Sequence, residues 1–554
     1  MLLQSNVSLE HILPILAKEV RESKVLKRYA WDLRSIKTTP LAVDGVGLPS
    51  GPYFVHRGHV YEAWKLYPDP LSSFQTTVLP DLKDPYSFHI LEAVSPDGFW
   101  KAVAVPSRLY CLPTDSRPLG GARIAVKDLF HLCGIKSALN VRSFLETYGP
   151  DKKTAEYVKK LIDLGAVIVG KTKMTAFAGG ERAPEFWIDF HCPFNPRADG
   201  YQTPSGSTSG GAACLAGYEW LDYSLGSDTY GSIRWPAASN GVYGLRCTVD
   251  EAASLEGVYA QCPLFDTMGL LGRDLPNFYE MARHSLAPTL KIFPKRILCP
   301  TDWSANYDPF HLEVVNSFVS ALEALLKVER TTFCINDVWQ KNSPPQAKGK
   351  SFQEFFYKTG YNIFYYDAFH EWDAFRAKYE RRFGKQVYVG PHVNWLWALG
   401  AAITTAERED ARTELDVYRK WFADHIIRED PDTVSSAIMV LPVGSTKPDY
   451  RDVLSGPLQA RLGVDELTMG SWLGIPELVL PVDQIHYFSK ATGRKERLPV
   501  SVTILGAKGS DLMLIKTALA ALQKAGRPTG LLTGRHIFGD ESGPAVAVDS
   551  GWIW

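Results

Sequence analysis

Two serine- and glycine-rich turns, separated by a short apolar segment, constrain this chain more than any other feature. Residues 204–236 read P-S-G-S-T-S-G-G-A-A-C-L-A-G, a short connector, and then L-G-S-D-T-Y-G-S-I-R-W-P. Glycine permits positive φ and close backbone approach, and successive N–H groups in such turns can converge on an anion or an oxyanion. Residues 212–217 are small and apolar, which predicts a buried helix between the turns. Ser207 and Ser232 are placed beside the donors of the two turns.

The two hydroxyl groups need a base before either can act as a nucleophile. No histidine lies in the stretch, and the nearest upstream candidate is Lys127 in R-I-A-V-K-D. A lysine buried without a counter-charge has a lowered pKa and can accept a proton. Taken singly, each residue has a plainer interpretation, because Lys127 could be exposed at a strand end and the serines could serve turn formation.

Composition indicates an ordinary globular protein and limits its partners. The 554 residues are enough for more than one domain. A formal net charge of -1 gives no reason to expect nucleic acid or an anionic membrane surface as a partner. The start lacks a secretory signal pattern, and the apolar runs are too short to span a bilayer. The eight cysteines contain no CxxC pair, so we expect free thiols, no metal site and a cytoplasmic location.

Residues 1–105 differ in residue pattern from the rest of the chain. Ser8 is predicted to cap a helix over residues 9–22, and short segments rich in aromatic residues and valine then predict strands. We therefore expect a small N-terminal α+β extension, 1–105, followed by a main domain, 106–554. Three histidines of the extension are interpreted as polar residues on strand faces, in preference to a metal or catalytic role: His56, His59 and His89.

The main domain alternates strand and helix patterns. A-R-I-A-V and A-V-I-V-G predict strands on either side of a helix that begins near Thr154. G-I-P-E-L-V-L-P-V and R-L-P-V-S-V-T-I-L-G predict two further buried strands. An amphipathic helix is predicted over 311–327, and a second helix over 511–525, ended by Gly526. This alternation favours an α/β fold with helices on the faces of a sheet. The many aromatic residues of 340–450 indicate either a packed helical layer or the lining of an apolar pocket. Packing is favoured for most of them, and a few could touch a substrate.

In this order and at these distances, the motifs resemble the amidase signature family of serine hydrolases. The resemblance covers about residues 118–527 and is carried by I-A-V-K-D-L-F, A-V-I-V-G-K-T-K-M, P-S-G-S-T-S-G-G, L-G-S-D-T-Y-G-S-I-R-W-P-A, G-V-Y-G-L-R and the two closing strands. It implies the amidase signature fold, a large mixed β-sheet flanked by helices on both faces. The N-terminal extension is similar to one found on some fungal members.

The resemblance also implies a Lys–Ser–Ser triad. Lys127 would be the base, Ser207 the bridging serine after a cis peptide, and Ser232 the nucleophile that forms an acyl-enzyme. Asp228 and Arg234 would brace the second turn. No metal and no organic cofactor is implied. The oxyanion would be held by the backbone N–H groups of Thr229, Tyr230, Gly231 and Ser232.

Two positions depart from the family pattern. Tyr230 stands where a glycine is usual, so its side chain could narrow the oxyanion turn or demand an uncommon φ. Counting back from Ser232 by the customary interval gives Thr208, not Ser207, as the bridging residue. We prefer Ser207, because the connector of residues 218–221 is lengthened and absorbs the difference.

The predicted function is that of an amidase that hydrolyses a carboxamide or related acyl bond of a small molecule. The aromatic region 340–450 suggests an aromatic or apolar acyl group. Acyl transfer to an amine would use the same triad, and a non-catalytic binding scaffold is a third hypothesis. The extension would cover the sheet, mediate a homodimer or shape the entrance.

Overall fold

A twelve-stranded mixed sheet runs through the chain and positions the residues singled out above. The computed structural model describes residues 52–56, 59–180, 184–250, 254–286, 293–454 and 456–539, so the helix predicted over 9–22 lies outside the described residues. The described strands are β1 (Tyr53–His56), β2 (His59–Glu62), β3 (Lys65–Pro68), β4 (Phe74–Pro80), β5 (Phe88–Ile90), β6 (Ala102–Val105), β7 (Arg123–Lys127), β8 (Val167–Thr172), β9 (Tyr223–Asp228), β10 (Tyr243–Arg246), β11 (Thr267–Gly272), β12 (Ile297–Pro300), β13 (Arg330–Phe333), β14 (Glu429–Asp430), β15 (Val434–Ser435), β16 (Ile438–Val443), β17 (Glu477–Phe488) and β18 (Lys495–Leu505).

The α-helices follow the predicted pattern closely. The described α-helices are α1 (Arg142–Thr147), α2 (Glu156–Asp163), α3 (Ser209–Gly217), α4 (Arg234–Asn240), α5 (Leu275–Ser285), α6 (Pro309–Leu326), α7 (Ile335–Asn342), α8 (Phe352–Phe355), α9 (Thr359–His370), α10 (Asp373–Phe383), α11 (Pro391–Ala401), α12 (Thr405–His425), α13 (Glu466–Leu473) and α14 (Asp511–Lys524). The predicted buried helix between the two turns is α3, and the two predicted closing strands are β17 and β18.

The sheet has the strand order β13-β12-β16-β18-β17-β10-β11-β9-β7-β8-β4-β5. Strand β7 runs parallel to both of its neighbours, β8 and β9, whereas β9, β11, β10, β17 and β18 pair antiparallel in turn. Parallel neighbours need a crossover connection, and α2 supplies it between β7 and β8. The mixed sheet predicted from the family resemblance is therefore confirmed.

Helices cover both faces of the sheet. Ile124 and Val126 of β7 pack in one apolar cluster with residues of α2, α5 and α14, whereas Ala125 between them packs with residues of α3 and α4. Successive side chains of a strand point to opposite faces, so the two clusters lie on opposite sides of β7. A central strand buried on both faces reads as a continuous apolar run rather than an alternating one, as R-I-A-V does here. The α/β fold predicted from the sequence is confirmed.

Part of the N-terminal region joins the large sheet. Strand β4 pairs antiparallel with β8, and β5 pairs with β4 at the sheet edge. Two smaller antiparallel pairs, β1–β2 and β3–β6, account for the other strands of this region. The predicted strands of the extension are thus present, and the division of the chain at residue 105 stays a prediction.

The aromatic-rich region forms helices α7 to α12, as predicted. Most of its aromatic side chains are buried and pack on one another, although Tyr357 and Tyr388 are exposed. The buried ones include Trp339, Phe352, Phe356, Phe364, Tyr365, Trp372, Phe375, Trp397, Tyr418 and Trp421. In the part of the chain that the structure describes, no helix is both long and apolar enough to cross a membrane.

Candidate active site

The carboxyl ends of three neighbouring parallel strands bring the candidate residues together. Lys127 ends β7, Thr172 ends β8 and Asp228 ends β9. Lys127 is directly opposite Thr172, and Val126 is opposite Leu225 of β9. In open α/β sheets, ligands bind outside the carboxyl ends of the strands, so the topology alone marks this edge.

Lys127 is fully buried and surrounded by hydroxyl groups. Its Nζ lies 2.7 Å from Ser207 Oγ and 3.0 Å from Ser227 Oγ, and it donates to the carbonyl oxygen of Ser227 at 3.3 Å. None of the ion pairs between described residues includes Lys127. An ammonium group with neutral partners and no contacting carboxylate loses more hydration energy than it recovers.

This environment changes the charge state of the lysine. Burial lowers the pKa of Lys127 from 10.5 to about 7, although the more distant carboxylates of Asp228 and Asp266 act in the opposite direction. About half of the amine is therefore neutral at pH 7, whereas an exposed lysine would be almost fully protonated. Lys127 can thus accept a proton near neutral pH.

The two turns that carry the serines are tied together by their backbones. The N–H of Thr208 donates to the carbonyl oxygen of Ser232 at 3.1 Å. The peptide bond between Gly206 and Ser207 is cis, as the family resemblance implied. Ser232 is 6% exposed, and no hydrogen bond joins its hydroxyl to that of Ser207 within the described chain. The structure therefore brings Lys127 and Ser207 into direct contact and holds Ser232 in the adjoining turn.

Of the two candidates for the bridging position, Ser207 contacts Lys127 and Thr208 does not. The hydroxyl of Thr208 lies 3.5 Å from the carbonyl oxygen of Ser227, a weak contact, whereas Ser207 contacts Lys127 directly. The Thr208 methyl group fills the space beside Gly211 and Gly226, where an added Cβ would approach it to 2.9 and 2.6 Å. Thr208 thus packs the turn against β9.

The turn before Ser232 offers fewer free N–H groups than expected. The N–H of Gly231 donates to Asp228 Oδ1 at 2.9 Å, so it faces the carboxylate and is not available to an oxyanion. Expecting four donors was wrong on this point, because the carboxylate that braces the turn competes for the same group. None of the turn and loop hydrogen bonds of the described segments uses the N–H of Thr229, Tyr230 or Ser232.

A buried charge network holds this turn in place. Asp228 contacts the guanidinium of Arg234 at 2.9 Å and that of Arg246 at 3.0 Å, and all three side chains are fully buried. Burial alone would raise the pKa of Asp228, but the two guanidiniums and the turn N–H groups hold it well below its usual range. Arg234 also contacts Glu477 at 2.6 Å and donates to Ser471 Oγ at 2.9 Å. Asp228 therefore stays ionised, and its charge is directed at the two arginines.

Tyr230 has no uncommon φ, and its side chain packs away from the turn instead of narrowing it. Gly231, not Tyr230, carries the positive φ, at 100°. The Tyr230 ring stacks on Phe265 and Phe364, with centroids 5.2 and 4.8 Å away. Its hydroxyl donates to the carbonyl oxygen of Gly360 at 3.3 Å and accepts from Trp472 Nε1 at 2.8 Å. The side chain is thus packed into the helical layer and anchors the turn there.

Sequence reasoning missed three residues of this site. Ser227 gives Lys127 a second hydroxyl partner, Arg246 gives Asp228 its second guanidinium, and Asp266 accepts from the Thr229 hydroxyl and from two backbone N–H groups. Ser227 and Arg246 stand inside the quoted motifs L-G-S-D-T-Y and G-V-Y-G-L-R. Their polar side chains within otherwise apolar strands were the available signal.

Comparison with known proteins identifies the class of fold. A solved structure described as an amidase superposes with a TM-score of 0.56 at 21% identity, covering 74% of this chain and 86% of its own. A solved structure of 6-aminohexanoate cyclic dimer hydrolase, complexed with its substrate, superposes with a TM-score of 0.56 at 18% identity, covering 74% of this chain and 87% of its own. At these identities the likeness shows the fold, which is that of the amidases.

The sequence comparisons extend the likeness to the family. The model of the family described as Amidase matches residues 90–299. Amidase 1 of Oryza sativa subsp. japonica is 36% identical over 174 residues, which is 31% of this chain and 38% of the rice protein. The chain therefore aligns with less than two thirds of that relative's length. Over residues 90–299 the chain is therefore similar in sequence to the amidase family.

Proposed function

We propose that this protein is a serine hydrolase that cleaves a carboxamide, or a related acyl bond, of a small molecule through an acyl-Ser232 intermediate. One observation carries the proposal: a fully buried Lys127, with its pKa lowered to about 7 and no carboxylate of the described residues in contact, lies 2.7 Å from Ser207 Oγ. A structural lysine in such a place would be paired with an acid, because an unpaired buried charge is costly. A general base needs a pKa close to the working pH, and this one has it.

The chemistry uses one proton path in both directions. The neutral amine of Lys127 takes the proton of Ser207, Ser207 takes that of Ser232, and the Ser232 oxygen bonds to the acyl carbon. The negative charge that develops on the acyl oxygen is met by the N–H groups of Thr229, Tyr230 and Ser232. The C–N bond then breaks, and the leaving nitrogen receives a proton back through Ser207. Water hydrolyses the acyl ester and regenerates Ser232.

Acyl transfer to an amine is the alternative that the same residues would serve. Several similar curated proteins are named as a component of glutamyl-tRNA(Gln) amidotransferase, among them one from Sulfolobus acidocaldarius that is 44% identical over 166 residues, 29% of this chain and 33% of its own. An amine would then replace water in the second step, with the same residues acting. The scaffold hypothesis loses its main support, because Tyr230, the residue that suggested a blocked turn, is packed into the helical layer.

A fluorophosphonate probe tests the serine chemistry without knowledge of the substrate. The probe forms a covalent adduct with an activated serine, and peptide mass spectrometry locates it. We expect an adduct on Ser232 in the wild-type protein and none in Ser232→Ala. Ser207→Ala should slow labelling by at least about a hundredfold, since the proton path is cut.

The control is a buried hydroxyl in the same turns that does not contact Lys127. Ser209 donates to the carbonyl oxygen of Ser205 at 2.6 Å and is fully buried, so Ser209→Ala should change the labelling rate only about twofold or less. If the wild-type protein is folded by circular dichroism and Ser232 is never labelled, the proposal is refuted. Equal loss of labelling in Ser209→Ala and Ser207→Ala would refute the specific role of Ser207.

A further inference from the structure

A buried arginine is connected to both of the turns that carry the candidate serines. Arg197 is fully buried, and none of the ion pairs between described residues includes it. Burial and, to a smaller degree, the charge of Arg273 lower the pKa of Arg197 to about 9, so Arg197 is still cationic at pH 7. A buried cation without an acid partner is costly unless its donors are satisfied. An apolar side chain would fill the same space at a lower cost, so the guanidinium is there for its hydrogen bonds.

The guanidinium donates to five backbone carbonyl oxygens, which belong to two segments far apart in the chain. Two of them are at the end of α4, those of Asn240 at 2.8 Å and Gly241 at 3.1 Å. The other three are in the segment 532–536: Leu532 at 2.7 Å, Gly534 at 2.9 Å and His536 at 3.1 Å. Arginine offers five N–H donors in one rigid fork, and no other side chain offers as many.

The loop that contains Arg197 leads to the bridging serine. The N–H of Arg197 donates to Asn195 Oδ1 at 2.9 Å. Asn195 Nδ2 in turn donates to the carbonyl oxygens of Thr203 at 3.2 Å and Ser239 at 2.9 Å. Thr203 lies in the loop itself, whereas Ser239 lies in α4. Asn195 thus joins the loop before the bridging serine to the helix that follows the proposed nucleophile.

Asn240 makes a second link between the same two elements. Its Nδ2 donates to the carbonyl oxygens of Pro204 and Pro236, both at 2.9 Å. Pro204 begins the turn P-S-G-S that contains the bridging serine, and Pro236 lies near the start of α4. Because the backbone carbonyl of Asn240 also accepts from Arg197, three side chains form one hydrogen-bonded group. We call this group the Arg197 cluster; it consists of Asn195, Arg197 and Asn240.

The segment 532–536 is itself bound to the elements that carry the site. The N–H of Ala198 donates to the carbonyl oxygen of Arg535 at 2.8 Å, and Arg535 Nε donates back to the carbonyl oxygen of Ala198 at 2.7 Å. The N–H of Gly534 donates to the carbonyl oxygen of Ala216 in α3 at 2.9 Å. A segment that begins 335 residues after Arg197 therefore completes the surroundings of its guanidinium.

The two serine turns are consequently joined in two ways. A direct backbone hydrogen bond runs from the N–H of Thr208 to the carbonyl oxygen of Ser232 at 3.1 Å. The Arg197 cluster adds an indirect connection, through the loop before Ser207 and the helix α4 after Ser232. A proton passes between two hydroxyl groups only when their oxygens come within hydrogen-bond distance. A shift of about 1 Å between the turns would therefore slow the proposed relay severely.

We infer that Arg197 is a positioning residue for the proposed reaction and holds Ser207 and Ser232 at the separation that proton transfer between them requires. Its hydrogen bonds go to backbone carbonyl groups and not to either hydroxyl, so it acts through the loop and the helix that carry the two serines. This inference rests on the proposed function and assigns to it a residue outside both turns.

Fluorophosphonate labelling of Arg197→Lys at pH 9, where Lys127 is almost fully neutral, tests the inference. Lysine keeps the positive charge but carries its three donors on one nitrogen, so it cannot hold both sets of carbonyl groups. The labelling rate of Ser232, expressed per folded molecule, should fall at least about tenfold. The inflection of the pH profile should stay near pH 7, because the contacts of Lys127 are unchanged.

A second substitution in the Ser207→Ala background separates positioning from a general loss of structure. The proton path is already cut in Ser207→Ala, so adding Arg197→Lys should slow labelling less than about twofold. Asn240→Ala removes the link to Pro204 and keeps the guanidinium in place. It should slow labelling at least about threefold in the wild-type background and less than about twofold in Ser207→Ala. This pair of measurements decides the question if Arg197→Lys does not fold.

Arg273→Lys is the matched control. Arg273 also donates to three backbone carbonyl oxygens, but these lie in the connector after α3, which carries neither serine: Tyr218 at 3.4 Å, Glu219 at 3.3 Å and Leu221 at 2.8 Å. Arg273→Lys should lower the urea midpoint of unfolding, as Arg197→Lys does, because both lose buried hydrogen bonds. Its labelling rate per folded molecule should stay within about twofold of the wild type.

The outcomes distinguish the inference from the proposed function. Wild-type labelling of Ser232 in folded Arg197→Lys would overturn the inference and leave the proposed function standing, and so would equal slowing in Arg273→Lys. Slowing by the same factor with and without Ser207 would give Arg197 a structural role only. If the folded wild-type protein is never labelled on Ser232, the proposed function fails and the inference fails with it.

Discussion

The pH dependence of Ser232 labelling is the most direct measure of the proposed base. Burial lowers the pKa of Lys127 to about 7, and only the neutral amine can accept a proton. Its neutral fraction is then about 3% at pH 5.5, about 24% at pH 6.5 and about 76% at pH 7.5. The second-order rate constant of labelling by a fluorophosphonate should rise about eightfold between pH 5.5 and 6.5 and less than about 1.5-fold between pH 7.5 and 9.

The pH of this inflection is set mainly by the burial of Lys127 and is raised by two carboxylates, those of Asp228 and Asp266. Asp228 and Asp266 both raise the pKa of Lys127, and Asp228 is already paired with Arg234 and Arg246. Burial raises the pKa of Asp266 itself to about 6, so this carboxyl ionises just below the range in which Lys127 titrates. Asp266→Asn removes that charge and should move the inflection of the labelling profile to lower pH.

Lys127 should also lower the free energy of unfolding at pH 7, because the folded state binds fewer protons there than the unfolded state. In the unfolded chain the pKa of Lys127 returns to its ordinary 10.5, so between pH 7 and 10.5 the unfolded state binds more protons than the folded state, and stability rises with pH across this window. At pH 7 the cost to the folded state is about 4 kcal/mol. Lys127→Met should therefore abolish labelling and raise the free energy of unfolding in urea at pH 7, and the gain should shrink toward pH 10.

Two results would contradict the assignment of Lys127 as a base with a lowered pKa. A labelling rate that keeps rising about tenfold per pH unit up to pH 9 would mean that Lys127 has the pKa of an exposed lysine. A Lys127→Arg protein gives the control, because arginine stays cationic over this range. It should show little labelling at any pH and no inflection. If Lys127→Arg labels at the wild-type rate, the base is another group.

Three further substitutions test the surroundings of the site. Ser227→Ala removes a hydroxyl 3.0 Å from Lys127 Nζ that stabilises the ammonium form; the labelling inflection should move to lower pH, by up to about one unit. Arg234→Met leaves buried Glu477 without its guanidinium and Asp228 with only Arg246, and should lower the free energy of unfolding by about 3–5 kcal/mol. Arg283→Met, in an exposed pair, should change it by less than about 1 kcal/mol. Tyr230→Phe loses two hydrogen bonds and keeps the stacked ring, so urea unfolding should show a loss of about 1–2 kcal/mol with labelling changed less than about threefold.

Local pattern was sufficient to predict most elements of the fold. The apolar runs of β7 and β8, the helix α2 between them and the closing strands β17 and β18 were predicted because each segment's period or composition shows its environment. The partners of the strands could not be predicted in this way. Strand β4 pairs with β8, about ninety residues later in the chain, and nothing in either strand specifies that partner. Such pairing depends on how the whole sheet packs.

The candidate residues could be predicted from the order of the sequence motifs. The hydrogen-bond partners of the turn could not, because several acceptors compete for the same N–H group. Lys127, Ser207 and Ser232 come from three separate motifs, and the structure brings the first two into contact. That the N–H of Gly231 would face Asp228 could not be predicted, because it depends on which acceptor the folded turn brings nearer. The hydrogen bonds of Arg197 are likewise invisible in sequence, because their acceptors lie far apart along the chain.

Two buried lysines at the ends of neighbouring strands show how the fold separates the proposed base from a structural cation. Lys171 of β8 lies 3.2 Å from Asp128 and 2.6 Å from Ser137 Oγ, so its charge is compensated where it is buried. Lys127 is buried to the same degree, but its contacts are hydroxyl and carbonyl groups. Asp228, the carboxylate at the end of the neighbouring strand β9, is held by two arginines instead. The arginines therefore do more than brace the turn: they occupy the acid that would otherwise hold Lys127 in its charged form.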